Sequence, residues 1–194
     1  MHAHPGTPDL RTIDPPRVHV ADVQVVPRPI HQDPRGFLVE TLRSDDATVG
    51  ERPFSMTYTS LTVAGEMRDR DRWHFHRHQQ DRFVVVLGEM VLALYDARTG
   101  SRTHGRLDLL RMAGASPLRP QASEKGEMLT HLVSVPEGTY HAIGNLHPSD
   151  PVVVQNFPTR LYDAKDEGRV PFSEVPIPSD GGRPFSWDRV EVVR

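Results

Sequence analysis

Apolar positions along this chain fall in short runs separated by turn residues. FVVVL (83–87), MVLALYD (90–96), LTHLVSV (129–135) and PVVVQNF (151–157) are compact blocks rich in Val, Leu, Thr and aromatic residues, with the length and composition of buried strands. FSMTYTSLTV (54–63) alternates with period two, as a half-buried strand does. VHVADVQVV (18–26) and GFLVETL (36–42), the latter after a DPRG turn, follow the same pattern more loosely. The Gly-Glu pair between FVVVL and MVLALYD predicts a β-hairpin. Only LDLLRMA (107–113) suggests a helix. The 18 prolines are scattered, which works against long helices. The pattern predicts about eight short strands in a sandwich or small barrel.

With 194 residues, one domain is expected. It spans 18–194, with a flexible arm over 1–17 and a Pro-rich tail from about residue 168 that drapes over the barrel or over a partner subunit. The formal net charge of -3 gives no reason to expect nucleic acid or an anionic membrane as partner. No apolar run approaches the roughly 20 residues of a spanning helix. The first residues, MHAHPGTPDLRTIDPP, lack the apolar centre of a signal peptide, so a cytoplasmic location is expected. Without cysteine there is no disulfide framework, thiolate ligand or cysteine nucleophile. Lys125 and Lys165 are the only lysines, both beside glycines and charges, which argues against Schiff-base chemistry.

Chemistry concentrates in two stretches. RWHFHRHQQDRFVVVLGE (72–89) places His74 and His76 two residues apart, then Asp81 and Gly88. PEGTYHAIGN (136–145) reads Pro-x-Gly-x-x-His-x-x-x-Asn from Pro136 to Asn145. Together they resemble the two motifs of the cupin superfamily, with Asp81 where a glutamate is usual. The resemblance implies an all-β, double-stranded β-helix jelly-roll barrel. On a strand, His74 and His76 face one way, Asp81 opens the next strand, and His141 follows a tight turn. Three imidazoles and a carboxylate would suit one divalent transition metal, Fe, Mn, Ni, Zn or Cu, as in metallo-cupins.

A second resemblance covers roughly residues 22–170. HQDPRGFLVETLR (31–43), GEMVLALYDARTGSRTHG (88–105, with Asp96, Arg98, Ser101, Thr103 and Gly105 in place) and VPEGTYHAIGNL (135–146) are similar to segments of the dTDP-4-keto-6-deoxysugar 3,5-epimerases. This resemblance implies a homodimer, with an N-terminal strand exchanged between subunits, and a small-molecule substrate. His74 takes the place of the family's base, and His76 that of a glutamine. Arg68 or Asp71 stands where the family has an arginine. Asp81 replaces the lysine that stabilises the enolate, with Arg82 as the neighbouring cation. Asn156 falls near the family's acid tyrosine, and Tyr162 matches a later one. Arg35 and Glu40 are further expected substrate contacts. The late aspartate that orients the base, in a Ser-x-Lys-Asp segment, finds no equivalent, Asp180 being a poor match.

Three readings follow. The first is an isomerase or epimerase of a small keto-substrate, with His74 as base and Tyr162 or a water as acid. The second is a metal-dependent lyase, cyclase or dioxygenase built on His74, His76, Asp81 and His141. The third is a non-catalytic ligand-binding cupin.

Overall fold

A computed structural model describes residues 8–46, 52–116 and 128–194. In chain order the strands are β1 (Leu10–Arg11), β2 (Gln24–Asp33), β3 (Gly36–Val39), β4 (Tyr58–Thr62), β5 (Arg72–His76), β6 (Asp81–Leu87), β7 (Glu89–Tyr95), β8 (Leu107–Ala113), β9 (Leu129–Val135), β10 (Tyr140–Gly144), β11 (Val152–Asn156), β12 (Glu167–Pro171), β13 (Pro176–Ile177), β14 (Arg183–Pro184) and β15 (Val190–Glu191). Two curled antiparallel sheets face each other, one in the order β3-β2-β9-β6-β11-β4 and the other β12-β5-β10-β7-β8. This is the jelly roll of a cupin.

Alternation along the strands builds three layers of apolar side chains. Phe83, Val85, Val133 and Val135 meet Leu92, Leu94, Leu110 and Met112 between the sheets. Val84, Leu132 and Phe157 form a smaller cluster with Val26, Leu42 and Val86, in which Val26, Val84, Val86 and Leu132 lie on the opposite face of β2, β6 and β9. On the outside of the five-stranded sheet, Trp73, Val91, Ala93 and Leu109 pack under Phe172, Ile177, Phe185 and Trp187 of the tail. The tail therefore covers its own barrel. Of the expected flexible arm, residues 1–7 lie outside the described residues, while Leu10 and Arg11 pair in parallel with Val190 and Glu191.

Two expectations are corrected. FVVVL and MVLALYD are strands, but they do not form a hairpin: β6 belongs to one sheet and β7 to the other. Gly88, at φ +77, turns the chain from sheet to sheet, and a Cβ there would strike the Pro151 carbonyl. LDLLRMA is strand β8, paired residue for residue with β7. Its side chains alternate between two apolar layers, Leu110 and Met112 toward the interior and Leu109 toward the tail. Burial on both faces makes such a strand read as a continuous apolar run.

The family-matched segment 96–105 is a structural turn. The Asp96 carboxylate accepts from Arg98 Nε (2.8 Å), Ser101 Oγ (2.5 Å) and Thr103 Oγ1 (2.6 Å). Burial opposes ionisation of this carboxyl, but the hydrogen bonds from Arg98, Ser101 and Thr103 outweigh it and hold it at about 2.

Candidate active site

A cavity of about 470 Å³ opens between the two sheets. On one wall, His74 and His76 project from β5 while Trp73 points outward into the tail layer. His141 of β10 pairs directly with His74, and the two rings lie 5.0 Å apart. His74 Nε2 is 3.0 Å from His76 Nε2. On the facing wall stand Asp81, Asn156 and Tyr58, from β6, β11 and β4. Asp81 Oδ2 lies 3.6 Å from both His76 Nε2 and His141 Nε2.

The hydrogen bonds fix most orientations. His76 Nδ1 is 3.1 Å from Asp166 Oδ2, and Asp166 Oδ1 accepts from the His78 backbone N–H at 2.7 Å. His141 Nδ1 faces the Thr139 carbonyl at 3.3 Å. Assigning the ring protons to these acceptors turns both Nε2 atoms to the cavity as acceptors. Glu167 Oε1 stands 3.9 Å from His74 Nδ1. Asn156 Oδ1 accepts the Arg82 backbone N–H at 2.9 Å, so its amide nitrogen donates to Asp81 Oδ1 and to the Tyr58 hydroxyl, each at 2.8 Å. Gln79 Nε2 lies 3.0 Å from both Asp81 Oδ1 and His76 Nε2.

Burial, reinforced by His141 and His76, lowers the His74 pKa to about 3. Burial and the neighbouring His76 bring His141 to about 4. Both imidazoles are therefore neutral at physiological pH. Asp69 also lines the cavity, and burial pushes its carboxyl up to about 6 although the Ile143 N–H donates to it.

Of the sequence-predicted residues, His74, His76, Asp81, His141, Asn156 and Tyr162 all line this cavity, and so does Arg68. Three do not. Arg35 is exposed at the β2–β3 turn, bonded to Asp33 (Nε–Oδ2 3.1 Å). Glu40 pairs with Arg43 at the surface. Arg82 follows Asp81 on the strand and so points to the opposite face of the sheet, where it is wholly buried and donates to the Arg52 carbonyl. It cannot neutralise charge beside Asp81. Asp180 is bound to Arg183 and Arg189, away from the cavity. Gln79, Asp166, Glu167 and Arg169 were not predicted as site residues. A signal for Asp166 exists: Lys165-Asp166 preserves the last two residues of the family's Ser-x-Lys-Asp pattern.

The four predicted metal donors converge, and two of their atoms, Asp81 Oδ1 and His76 Nε2, take part in hydrogen bonds in this arrangement. Amide donors from Gln79 and Asn156 hold Asp81 Oδ1, and the Gln79 amide and His74 both press on His76 Nε2. Among the described residues no group of three or more His, Asp or Glu side chains could hold a metal ion. In this arrangement the cluster is a hydrogen-bonded network.

A small-molecule cavity in the mouth of a jelly roll, walled by buried imidazoles, defines an enzyme-type cupin. No family model matches the chain. Individual proteins do. A probable low-salt glycan biosynthesis epimerase of Haloferax volcanii is 34% identical over 163 residues, covering 81% of this chain and 90% of that protein. The spore coat polysaccharide biosynthesis protein SpsL of Bacillus subtilis is 28% identical, covering 81% and 89%. Among solved structures, the RmlC epimerase of Mycobacterium tuberculosis superposes with a TM-score of 0.63 at 23% identity, over 89% of this chain and 83% of that one. ChmJ of Streptomyces bikiniensis, a 3'-monoepimerase in complex with dTDP-quinovose, gives 0.64 at 20% identity, over 94% and 82%. The chain belongs to the dTDP-sugar 3,5-epimerase-like family of cupins. It is an epimerase-type enzyme, which sets aside the non-catalytic reading.

Proposed function

We propose that this enzyme inverts a stereocentre beside the ketone of a 4-keto-6-deoxy sugar carried on a nucleoside diphosphate, with no metal taking part. The observation that carries the reading is the carboxylate-backed imidazole pair, His74 and His76 with Glu167 and Asp166 behind them, on one wall of a cavity of about 470 Å³. A base must be neutral to accept a proton, and burial keeps His74 so. His74 is the more open of the two, with 19% of its side chain exposed against 9% for His76, and it is the member placed to meet substrate. Breaking the C–H bond leaves its electron pair in an enolate. Asp166 and Glu167 offset the positive charge that the imidazole pair gains. Arg68 and Arg169 are the guanidinium groups lining the cavity. Arg68 spends Nε and Nη2 on Thr62 and the Leu61 carbonyl, and Arg169 spends the same two nitrogens on Glu167, so the Nη1 donor of each is left to meet the diphosphate or the enolate oxygen.

The test is deuterium exchange into a dTDP-4-keto-6-deoxyhexose in D₂O, with His74→Asn alongside. Wild-type enzyme should incorporate deuterium next to the ketone. The variant should lose about 10²–10⁴-fold in rate, the range of a general base. Elemental analysis of untagged protein accompanies it. Near-stoichiometric transition metal that disappears in His74→Ala, with activity abolished by chelator, would overturn this reading in favour of metal chemistry.

A further inference from the structure

We infer that Tyr58, and not Tyr162, is the acid that returns a proton to the substrate from the face opposite the histidines. This rests on the epimerase reading above. Inversion needs two groups on opposite sides of one carbon: a base that takes the proton and an acid that delivers another. The histidines belong to β5 and β10 of the five-stranded sheet, whereas Tyr58 stands on β4, at the edge of the six-stranded sheet across the cavity. Register explains its position. Tyr58 pairs directly with Asn156, the residue near which the family's acid tyrosine is expected, so the phenol reaches that region from the neighbouring strand.

The hydrogen bonds also give the phenol its direction. Asn156 is held by the Arg82 N–H on its oxygen, so its amide nitrogen donates to the Tyr58 oxygen at 2.8 Å. The phenol therefore accepts on that side, and its own hydrogen is free for the cavity. Among the described residues nothing accepts that hydrogen. Tyr58 is 46% exposed at the cavity mouth, and partial desolvation of its hydroxyl, with Asp81 nearby, raises its pKa despite the Asn156 hydrogen bond and keeps the proton in place. Tyr162 is placed otherwise. It is 66% exposed against 46% for Tyr58, and it neighbours Glu167, which itself stands beside His74, so it belongs to the wall of the base.

The step balances without a co-reactant. The enolate carbon's electron pair takes the Tyr58 O–H proton, forming the new C–H bond and leaving a phenolate bonded to the Asn156 N–H. The proton removed from the substrate sits on the imidazole pair. Transfer of one proton through solvent from imidazolium to phenolate restores both.

The experiment incubates wild type, Tyr58→Phe and Tyr162→Phe with a dTDP-4-keto-6-deoxyhexose in D₂O. It follows deuterium in the recovered substrate and in the inverted product separately. Wild type should place deuterium in the inverted product. Tyr58→Phe should still exchange deuterium into substrate of unchanged configuration, within about tenfold of the wild-type exchange rate. Its inversion should fall by about 10²-fold or more, the share of a general acid. Tyr162→Phe should exchange and invert in step. Should Tyr58→Phe not fold, Asn156→Ser tests the same point, since loss of the phenolate's partner should slow inversion more than exchange. The proposal is overturned if Tyr58→Phe inverts at the wild-type rate, if exchange and inversion fall together, or if the split appears in Tyr162→Phe. Wild-type enzyme that neither exchanges nor inverts would instead defeat the epimerase reading, and the role of Tyr58 with it.

Discussion

His74 and His141 on one side, and Asp69 on the other, show how burial sets the pH response of single residues in opposite directions. The two histidines fall from the ordinary 6.5 to about 3 and about 4. Between pH 6.5 and 4 the unfolded chain therefore binds more protons than the native one, and these residues weaken the fold as pH drops through that window. Asp69 rises from 3.8 to about 6. Between those values the native state binds the extra proton, so Asp69 weakens the fold as pH rises, in full above about 6. Asp69→Asn keeps an oxygen for the Ile143 N–H and removes the buried charge. It should raise stability at pH 8, by roughly 3 kcal/mol at most for a two-unit shift, and change little at pH 4. Urea midpoints at the two pH values decide it; equal effects at both would show that the charge is not the cause. The histidines and Asp81 were legible in the sequence because motif spacing and strand period agree on them. Asp69 was not, because an acid between arginines in RDRDR reads as surface until the tail is placed. Trp187 Nε1 donates to the Asp69 carbonyl at 2.7 Å from 118 residues further on.

Strands place these residues, and the neighbours of β5 matter as much as β5 itself. β12 pairs with it so that Glu167 faces His76 and Arg169 faces His74. Between them, Gly168 lies opposite Phe75, and a Cβ at Gly168 would sit within the Phe75 ring. That ring cannot easily yield. Tyr140 stacks on it at 4.7 Å, and the Arg77 guanidinium lies 5.3 Å from its centre. Arg77 also donates to the Asp166 carbonyl at 3.0 Å, binding the turn after β5 to the start of β12. Gly168→Ala should cost about 1–3 kcal/mol, as overpacking does. It should also lower kcat/KM by shifting Glu167 and Arg169, read from a denaturation curve and initial rates. An unchanged melting point would show that β12 is free to move away. Most of the central strands were legible in the sequence, β8 excepted; their partnership was not. The Gly-Glu pair predicted a hairpin because a two-residue link is read locally, whereas the jelly roll uses Gly88 to pass the chain to the facing sheet. β8 resembled a helix because both of its faces are buried, which erases the period of two.

At the scale of the whole molecule, the two sheets have unequal outer faces. The five-stranded sheet is covered by the chain's own tail, held by the β1–β15 pairing and by Arg183 and Arg189 on Asp9. Among the described residues the six-stranded sheet ends in two edge strands, β3 and β4. Both carry apolar side chains in solvent: Leu38 is 60% exposed on β3 and Leu61 53% on β4. Unpaired edges with apolar side chains favour pairing with another chain. Among the described residues no helix is long and apolar enough to cross a membrane. A second copy of the chain is the occupant that the family resemblance implies. It would also explain why Arg35, Phe37 and Leu38, in the segment most similar to the epimerases, project away from this chain's own cavity. Light scattering on purified protein at micromolar concentration should give twice the chain mass. Leu38→Glu, which places a charge on the β3 edge, should shift it toward the monomer while leaving the melting curve of the barrel two-state. A wild-type monomer across that concentration range would refute the dimer and leave Arg35 without a substrate to contact.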